Sequence, residues 1–181
     1  MRKFGKNIFS KKDYNSPDGM MTSIWGPALW HTLHTISFNY PVKPTKEDKE
    51  NYYNYFKSLQ NVLPCKYCRD NLKKNFKKLP LKKIVFKNRE SLSKYVYLLH
   101  EEVNKMLGKK SGLTYTQVRD RYEHFRSRCI TPLDKKPNKK IESGCTESLY
   151  GVKGKCVINI VPHSKKTPTF VMEKSCQLTR Q

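Results

Sequence analysis

Between residues 22 and 127 the chain repeats one kind of unit: apolar side chains at helical spacing, opened by a capping residue and closed by proline or glycine. Each such segment carries one apolar stripe and a short connection to the next, and the simplest way to bury the stripes together is a helical bundle. The first stripe is Ile24, Leu29, Leu33, Ile36 and Phe38, with Thr22 or Ser23 placed to cap it. Asn39-Tyr40-Pro41 ends it, because the residue before a proline is pushed out of the helical region. Thr45-Lys46-Glu47-Asp48 reads as a capping box opening a second helix, whose Tyr52, Tyr55, Phe56, Leu59 and Val62 form a packing face up to Leu63-Pro64. A third helix starts at Cys65 and runs through Leu72, Phe76 and Leu79. A fourth is capped near Asn88, spans 92–107 and stops at Gly108. Thr114-Tyr115-Thr116-Gln117 opens a short fifth helix through Val118, Tyr122 and Phe125. The expected fold is all-α, four antiparallel helices with the fifth packed across them.

The flanks differ in character. Residues 1–21 form a basic arm expected to be flexible, with turn chemistry at Asn15-Ser16-Pro17-Asp18-Gly19. After Thr131-Pro132 a charged stretch, 134–140, reads as a linker. Beyond it 155–161 (KCVINIV) and 167–172 (TPTFVM) read as short strands, too few for more than a marginal hairpin. The expected organisation is therefore arm (1–21), helical domain (22–130) and C-terminal extension (131–181).

Composition narrows the function classes. Lys and Arg total 37 against 15 Asp and Glu, a net charge of +22, which favours acidic neighbours. The basic residues are spread through nearly every segment, so specific nucleic-acid recognition is not expected. The lysines of the third helix (Lys73, Lys74, Lys77, Lys78) read as a solvated face. No run of about 18 apolar residues exists, so no membrane span is expected, and residues 1–12 lack the apolar core of a secretory signal.

Six cysteines lie at positions 65, 68, 129, 145, 156 and 176, and only one pair is close in sequence. In Pro64-Cys65-Lys66-Tyr67-Cys68 the pair opens a helix, where the helix dipole and unpaired N–H groups stabilise a thiolate. Lys66 and Arg69 add positive charge. An accessible thiolate, a partner sulfur and a good leaving group are the conditions for thiol–disulfide exchange. A zinc site would need a second Cys/His pair, and no other CxxC or HxxxH is present; Cys129, Cys145 and His124 could join only at unusual spacings. A thioredoxin-like fold would place the motif after a strand, but a helix precedes it. The alternative kept beside redox chemistry is a basic zinc- or nucleic-acid-binding module with a structural CxxC.

A wider pattern points to the electron acceptor. Trp25-Gly26-Pro27-Ala28-Leu29-Trp30-His31-Thr32-Leu33-His34 resembles the opening motif of the Erv/ALR family of FAD-linked sulfhydryl oxidases. Tyr40-Pro41, the aromatic second helix and the CxxC follow in that family's order, and Leu99-His100-Glu101-Glu102-Val103-Asn104-Lys105-Met106-Leu107-Gly108-Lys109 is similar to its H-N-x-V-N-x-x-L-G-K stretch. The resemblance implies a helical bundle holding FAD and a thiol oxidase that forms disulfides in thiol-containing protein substrates. Electrons would pass through Cys65–Cys68 to FAD and on to oxygen, with release of hydrogen peroxide. It implies Cys68 as the sulfur nearest the flavin and Cys65 as the one facing substrate. The implied cofactor contacts are Gly26, Trp30 and His34 from the first helix, His100, Val103, Asn104, Lys105 and Lys109 from the fourth, and Tyr122 from the fifth; no metal is implied. A homodimer through the first two helices is implied as well.

Three departures accompany the resemblance. Glu101 replaces the asparagine that commonly follows the motif histidine, Tyr115 stands where many relatives place a cysteine of a second, structural disulfide, and the N-terminal arm has no shuttle CxxC. With the Lys/Asn-rich composition, these suggest a member from a large DNA virus, located in the host cytoplasm or virion; otherwise an intracellular site, the mitochondrial intermembrane space included. Cys145, Cys156 and Cys176 lie outside the resemblance and could form a structural bridge, remain free thiols or include a shuttle pair.

Overall fold

In a computed structural model the described residues are 9–130, 144–149, 152–168 and 170–176. A short helix α1 (Lys11–Tyr14) is followed by α2 (Thr22–Asn39), α3 (Lys46–Val62), α4 (Lys66–Lys78), α5 (Arg89–Met106) and α6 (Tyr115–Glu123). The bundle is α2–α5, with α2 packed chiefly on α5 and α3 on α4, while α6 lies across α2 and α5. This is the helical architecture expected from the sequence.

The helix starts follow from side-chain chemistry. Thr45 and Asp48 form the reciprocal capping box of α3, and Thr114 and Gln117 that of α6. The Asn88 side chain accepts from the Ser91 N–H to start α5. At α2 the expectation fails: the N-cap is Met21, no side chain caps the helix, and Thr22 is already its first residue.

The core is a contiguous cluster including Leu33, Tyr40, Phe56, Leu72, Phe86, Leu92, Val96 and Leu99. Tyr40 is fully buried, and burial pushes its phenol up to about 12. Its O–H donates to the Phe86 carbonyl at 3.0 Å, so the buried oxygen is paired. Arg89 donates to the Tyr40 carbonyl at 2.6 Å, tying the start of α5 to the end of α2.

Among the described residues two strands form, but not where the sequence placed them. β1 (Ser127–Ile130) and β2 (Gly144–Ser148) pair antiparallel, with Ser127 opposite Ser148 and Ile130 opposite Gly144. Arg126 anchors this ribbon, donating to the Phe38 carbonyl at 2.9 Å and pairing with Glu123 at 2.7 Å. The described parts of 155–161 and 167–172 form no strand. Their apolar residues explain the misreading: Val157, Ile158 and Ile160 have strand-forming shapes yet lie exposed, and β propensity without a neighbouring edge does not make a ladder. The expected linker at 134–140 falls outside the described residues.

The basic arm is docked where it is described. Ser10 and Asp13 close a capping box around α1. Gly19 then bridges to Cys65, and the Met20 N–H donates to the Pro64 carbonyl at 2.7 Å.

Candidate active site

Cys65 is the N-cap of α4, and its sulfur accepts from the Cys68 backbone N–H at 3.2 Å. Leu63-Pro64 breaks the preceding helix, so the first turn of α4 leaves N–H groups with no carbonyl partner, and the thiol takes one of them. Burial pushes the Cys65 thiol up, but hydrogen bonds from Cys68 and Thr22 outweigh it and the net shift is downward. Cys68 moves the other way. Its burial, reinforced by its neighbour Cys65, raises the thiol, against opposing pulls from Thr22 and Arg69. The two thiols are thus shifted in opposite directions, Cys65 downward and Cys68 upward. Both are half-buried and unbonded here, and the intervening Tyr67 is 80% exposed.

A second centre lies farther along α2. Trp30 and His100 stack with ring centroids 3.9 Å apart and planes within 5°. His34 Nε2 lies 3.0 Å from His100 Nδ1, and the His34 ring stacks near Tyr122 at 5.3 Å. Phe38 packs beside them, its ring 5.2 Å from that of Tyr122 and 6.3 Å from that of His34. Burial is the main reason that His34 falls to about 3, with His100 and His31 adding to it; burial lowers His100 to about 4. Both imidazoles are therefore neutral at ordinary pH. His34 Nδ1 is buried with no hydrogen-bond partner.

One row of α2 joins the two centres. Thr22, Gly26, Trp30, His34 and Phe38 recur every four residues, the spacing that stacks side chains one turn above another. The row begins with the Thr22 hydroxyl 3.6 Å from the Cys68 sulfur and ends beneath Tyr122. Gly26 sits beside the Thr22 methyl, which a Cβ there would meet at 3.4 Å.

The other residues singled out from sequence sit at the rim. Val103 and Asn104 are half-buried, and the Asn104 amide donates to Glu101 at 3.0 Å, so the atypical Glu101 orients Asn104. Lys105 and Lys109 are exposed at the end of α5. Tyr115 fills its place by packing: its ring lies 5.9 Å from Tyr97 and 6.2 Å from Phe38, and its hydroxyl is 2.8 Å from Ser93 Oγ.

Several contributors escaped the sequence reading. His31 Nδ1 lies 3.3 Å from the Tyr122 hydroxyl, and its ring contacts Phe125 and Phe170. Phe170 belongs to the C-terminal extension, which folds back so that its ring lies 6.4 Å from that of Tyr122. No local pattern announces such a long-range contact. Farther along, Cys145 is disulfide-bonded, whereas Cys156 is free and exposed and Cys176 free and half-buried. Among the described residues, no group of three or more His, Cys, Asp or Glu side chains is placed to hold a metal ion.

Residues 27–123 match the Erv1 / Alr family, more than half of the chain. The chain belongs to that family. Among curated relatives, the Probable FAD-linked sulfhydryl oxidase R368 of Acanthamoeba polyphaga mimivirus is 39% identical over 61% of this chain and 74% of its own length. The FAD-linked sulfhydryl oxidase ERV1 of Arabidopsis thaliana is 32% identical over 46% of this chain and 42% of its own. The FAD-linked sulfhydryl oxidase of an African swine fever virus isolate is 28% identical over 55% of this chain and 80% of its own. The fold of the yeast Erv1 core superposes with a TM-score of 0.53 at 21% identity, covering 67% of this chain and 96% of that one. Both Gly19–Thr22 and Phe170 lie outside the stretch that matches the Erv1 / Alr family.

Proposed function

We propose that the chain is an FAD-dependent sulfhydryl oxidase that makes disulfide bonds in thiol-containing protein substrates, with Cys65–Cys68 as its redox centre. The observation that carries this reading is the continuous α2 row, which runs from the Cys68 sulfur to a cluster of flat, neutral rings. That cluster suits FAD. Trp30, His34, His100 and Tyr122 offer aromatic faces, the buried His34 Nδ1 has a hydrogen-bonding position left to fill, and Lys105 and Lys109 supply cations for a diphosphate.

In the oxidised enzyme a substrate thiolate attacks the Cys65 sulfur. The Cys65–Cys68 bond breaks, a mixed disulfide forms at Cys65, and the electron pair departs on Cys68. A second substrate thiolate then attacks the substrate sulfur of the mixed disulfide and leaves as product, releasing Cys65 as a thiolate that the α4 N-terminus receives. Held by Trp30, His34, His100 and Tyr122, FAD would supply two-electron acceptor chemistry, with oxygen as the final oxidant and hydrogen peroxide as the product. The neutral imidazoles bind without adding charge, and the surrounding rings exclude water.

The partner expected besides substrate is a second copy of the chain through α2 and α3. The viral relatives favour a viral source and a place in the host cytoplasm or virion. No helix among the described residues is long and apolar enough to cross a membrane.

The test is a visible spectrum of the purified protein before and after an anaerobic dithiol. Flavin absorbance near about 450 nm that bleaches with thiol and returns in air is expected. A colourless protein that retains zinc would overturn the reading.

A further inference from the structure

A threonine at the start of a helix ordinarily turns its hydroxyl back to the backbone, and forgoing such a cap costs about 1 kcal/mol. Helix α2 forgoes it. Its N-cap is Met21, no side chain satisfies the first-turn N–H groups, and the neighbouring Thr22 hydroxyl lies 3.6 Å from the Cys68 sulfur. Local rules are most often broken where another role competes for the residue.

The surroundings hold Thr22 in that direction. Its methyl packs over Gly26, where a Cβ would approach to 3.4 Å. The backbone just before it is pinned twice: the Met20 N–H donates to the Pro64 carbonyl at 2.7 Å, and the Trp25 indole donates to the Met20 carbonyl at 3.0 Å. Gly19 makes the first of these contacts possible. Its φ is +100°, and a Cβ there would lie 2.5 Å from the Pro64 oxygen. Pro64 immediately precedes Cys65, so the same backbone that carries the reactive pair also positions Thr22 against it.

We propose that Thr22 is the hydrogen-bond donor that receives the Cys68 thiolate, and that Gly19–Met20 is the clasp that keeps it there. The inference rests on the reading of Cys65–Cys68 as the redox pair. When a substrate thiolate attacks Cys65, the S–S bond breaks and the electron pair leaves on Cys68; the Thr22 O–H then donates to that sulfur. The other groups acting on the Cys68 sulfur are Cys65 and the Arg69 guanidinium, both of α4. Arg69 acts on that sulfur through its charge while donating to the Leu63 carbonyl at 2.6 Å, and Thr22 reaches it from outside the helix at hydrogen-bonding distance, 3.6 Å. A better-stabilised leaving thiolate departs faster.

The sequence provides a convenient assay. Lys66 lies between the two cysteines, so trypsin places Cys65 and Cys68 on different peptides. The full-length protein, reduced and kept anaerobic, is alkylated with iodoacetamide across a pH series, and each cysteine is followed separately by mass spectrometry. Thr22→Val, which keeps the shape and removes the donor, is expected to shift the Cys68 midpoint upward by roughly half to one pH unit. Thr22 also lowers the Cys65 thiol, so the Cys65 midpoint should rise as well, and Thr22→Ser should restore the wild-type profile at both cysteines. An unchanged Cys68 midpoint in Thr22→Val would overturn the proposal. So would shifts that Thr22→Ser fails to reverse and that come with a lowered melting temperature, since that pattern marks a structural role. The absorbance spectrum of the same sample reports on flavin independently, so failure of the oxidase reading and failure of this inference are told apart.

Discussion

Cys65 and Cys68 sit half-exposed at a helix N-terminus, surrounded by groups that pull their two thiols in opposite directions. His34 sits buried and His100 half-buried a few turns away, both driven into the neutral form. The first centre is arranged so that charge appears and disappears; the second keeps its charge state fixed across the pH range where the first works. Thiol exchange needs a sulfur that ionises easily and is reached by a bulky partner. A site for a flat ligand needs dry walls that do not change with every proton. Their separation along α2 lets each be tuned without disturbing the other.

The largest effect should come from breaking the dithiol alone. Cys68→Ser is expected to reduce turnover to background while the protein stays yellow, measured by oxygen consumption and absorbance on one sample. Loss of colour would mean that the two centres are not separable. Breaking the other side should reverse the pattern: His100→Ala removes the ring stacked on Trp30 and should speed flavin release about tenfold, with Cys65 and Cys68 alkylated as in wild type.

Acid should act mainly through the histidines. An unfolded imidazole takes a proton near 6.5, whereas the folded ones resist until about 3 for His34 and about 4 for His100. Their burial therefore favours the folded state fully above pH 6.5, and this contribution is lost as pH falls toward 3. The unfolding free energy should drop across that window by up to about 1.4 kcal/mol per pH unit for each histidine, read from denaturant curves at each pH. A flat profile between pH 6 and 4 would contradict the neutral pair.

Two smaller effects sharpen the contrast. Gly19→Ala should displace the clasp and disturb Cys68 alkylation, with a stability loss on the order of 1–2 kcal/mol for the positive φ. Thr45→Ala should cost about 1 kcal/mol by removing the α3 cap and leave both cysteine profiles untouched. The same residue type thus serves the fold at position 45 and the sulfur at position 22.

The helices were legible because their signals are local. Thr45, Asn88 and Thr114 announce the starts of α3, α5 and α6, and Leu63-Pro64 separates α3 from α4 within a few residues. The site was legible in part: Gly26, Trp30 and His34 were singled out on the row, but Thr22 was read as a cap and Phe38 as core. Only the approach of Pro64 to Gly19 reveals why Thr22 faces a sulfur 46 residues away. The strands were misplaced because apolar, β-branched composition at 155–161 signals preference, while a ladder depends on a partner. That partner was offered to Ser127–Ile130 instead.

The contact between Gly19 and Pro64 also bears on modularity. The family match begins at residue 27, so a fragment cut to it would contain both cysteines and the histidine pair. It would lack the backbone lying against Pro64, the hydroxyl beside Cys68 and the Phe170 ring over Tyr122. The sulfur chemistry of such an enzyme is therefore open to change through a stretch that the family match does not contain.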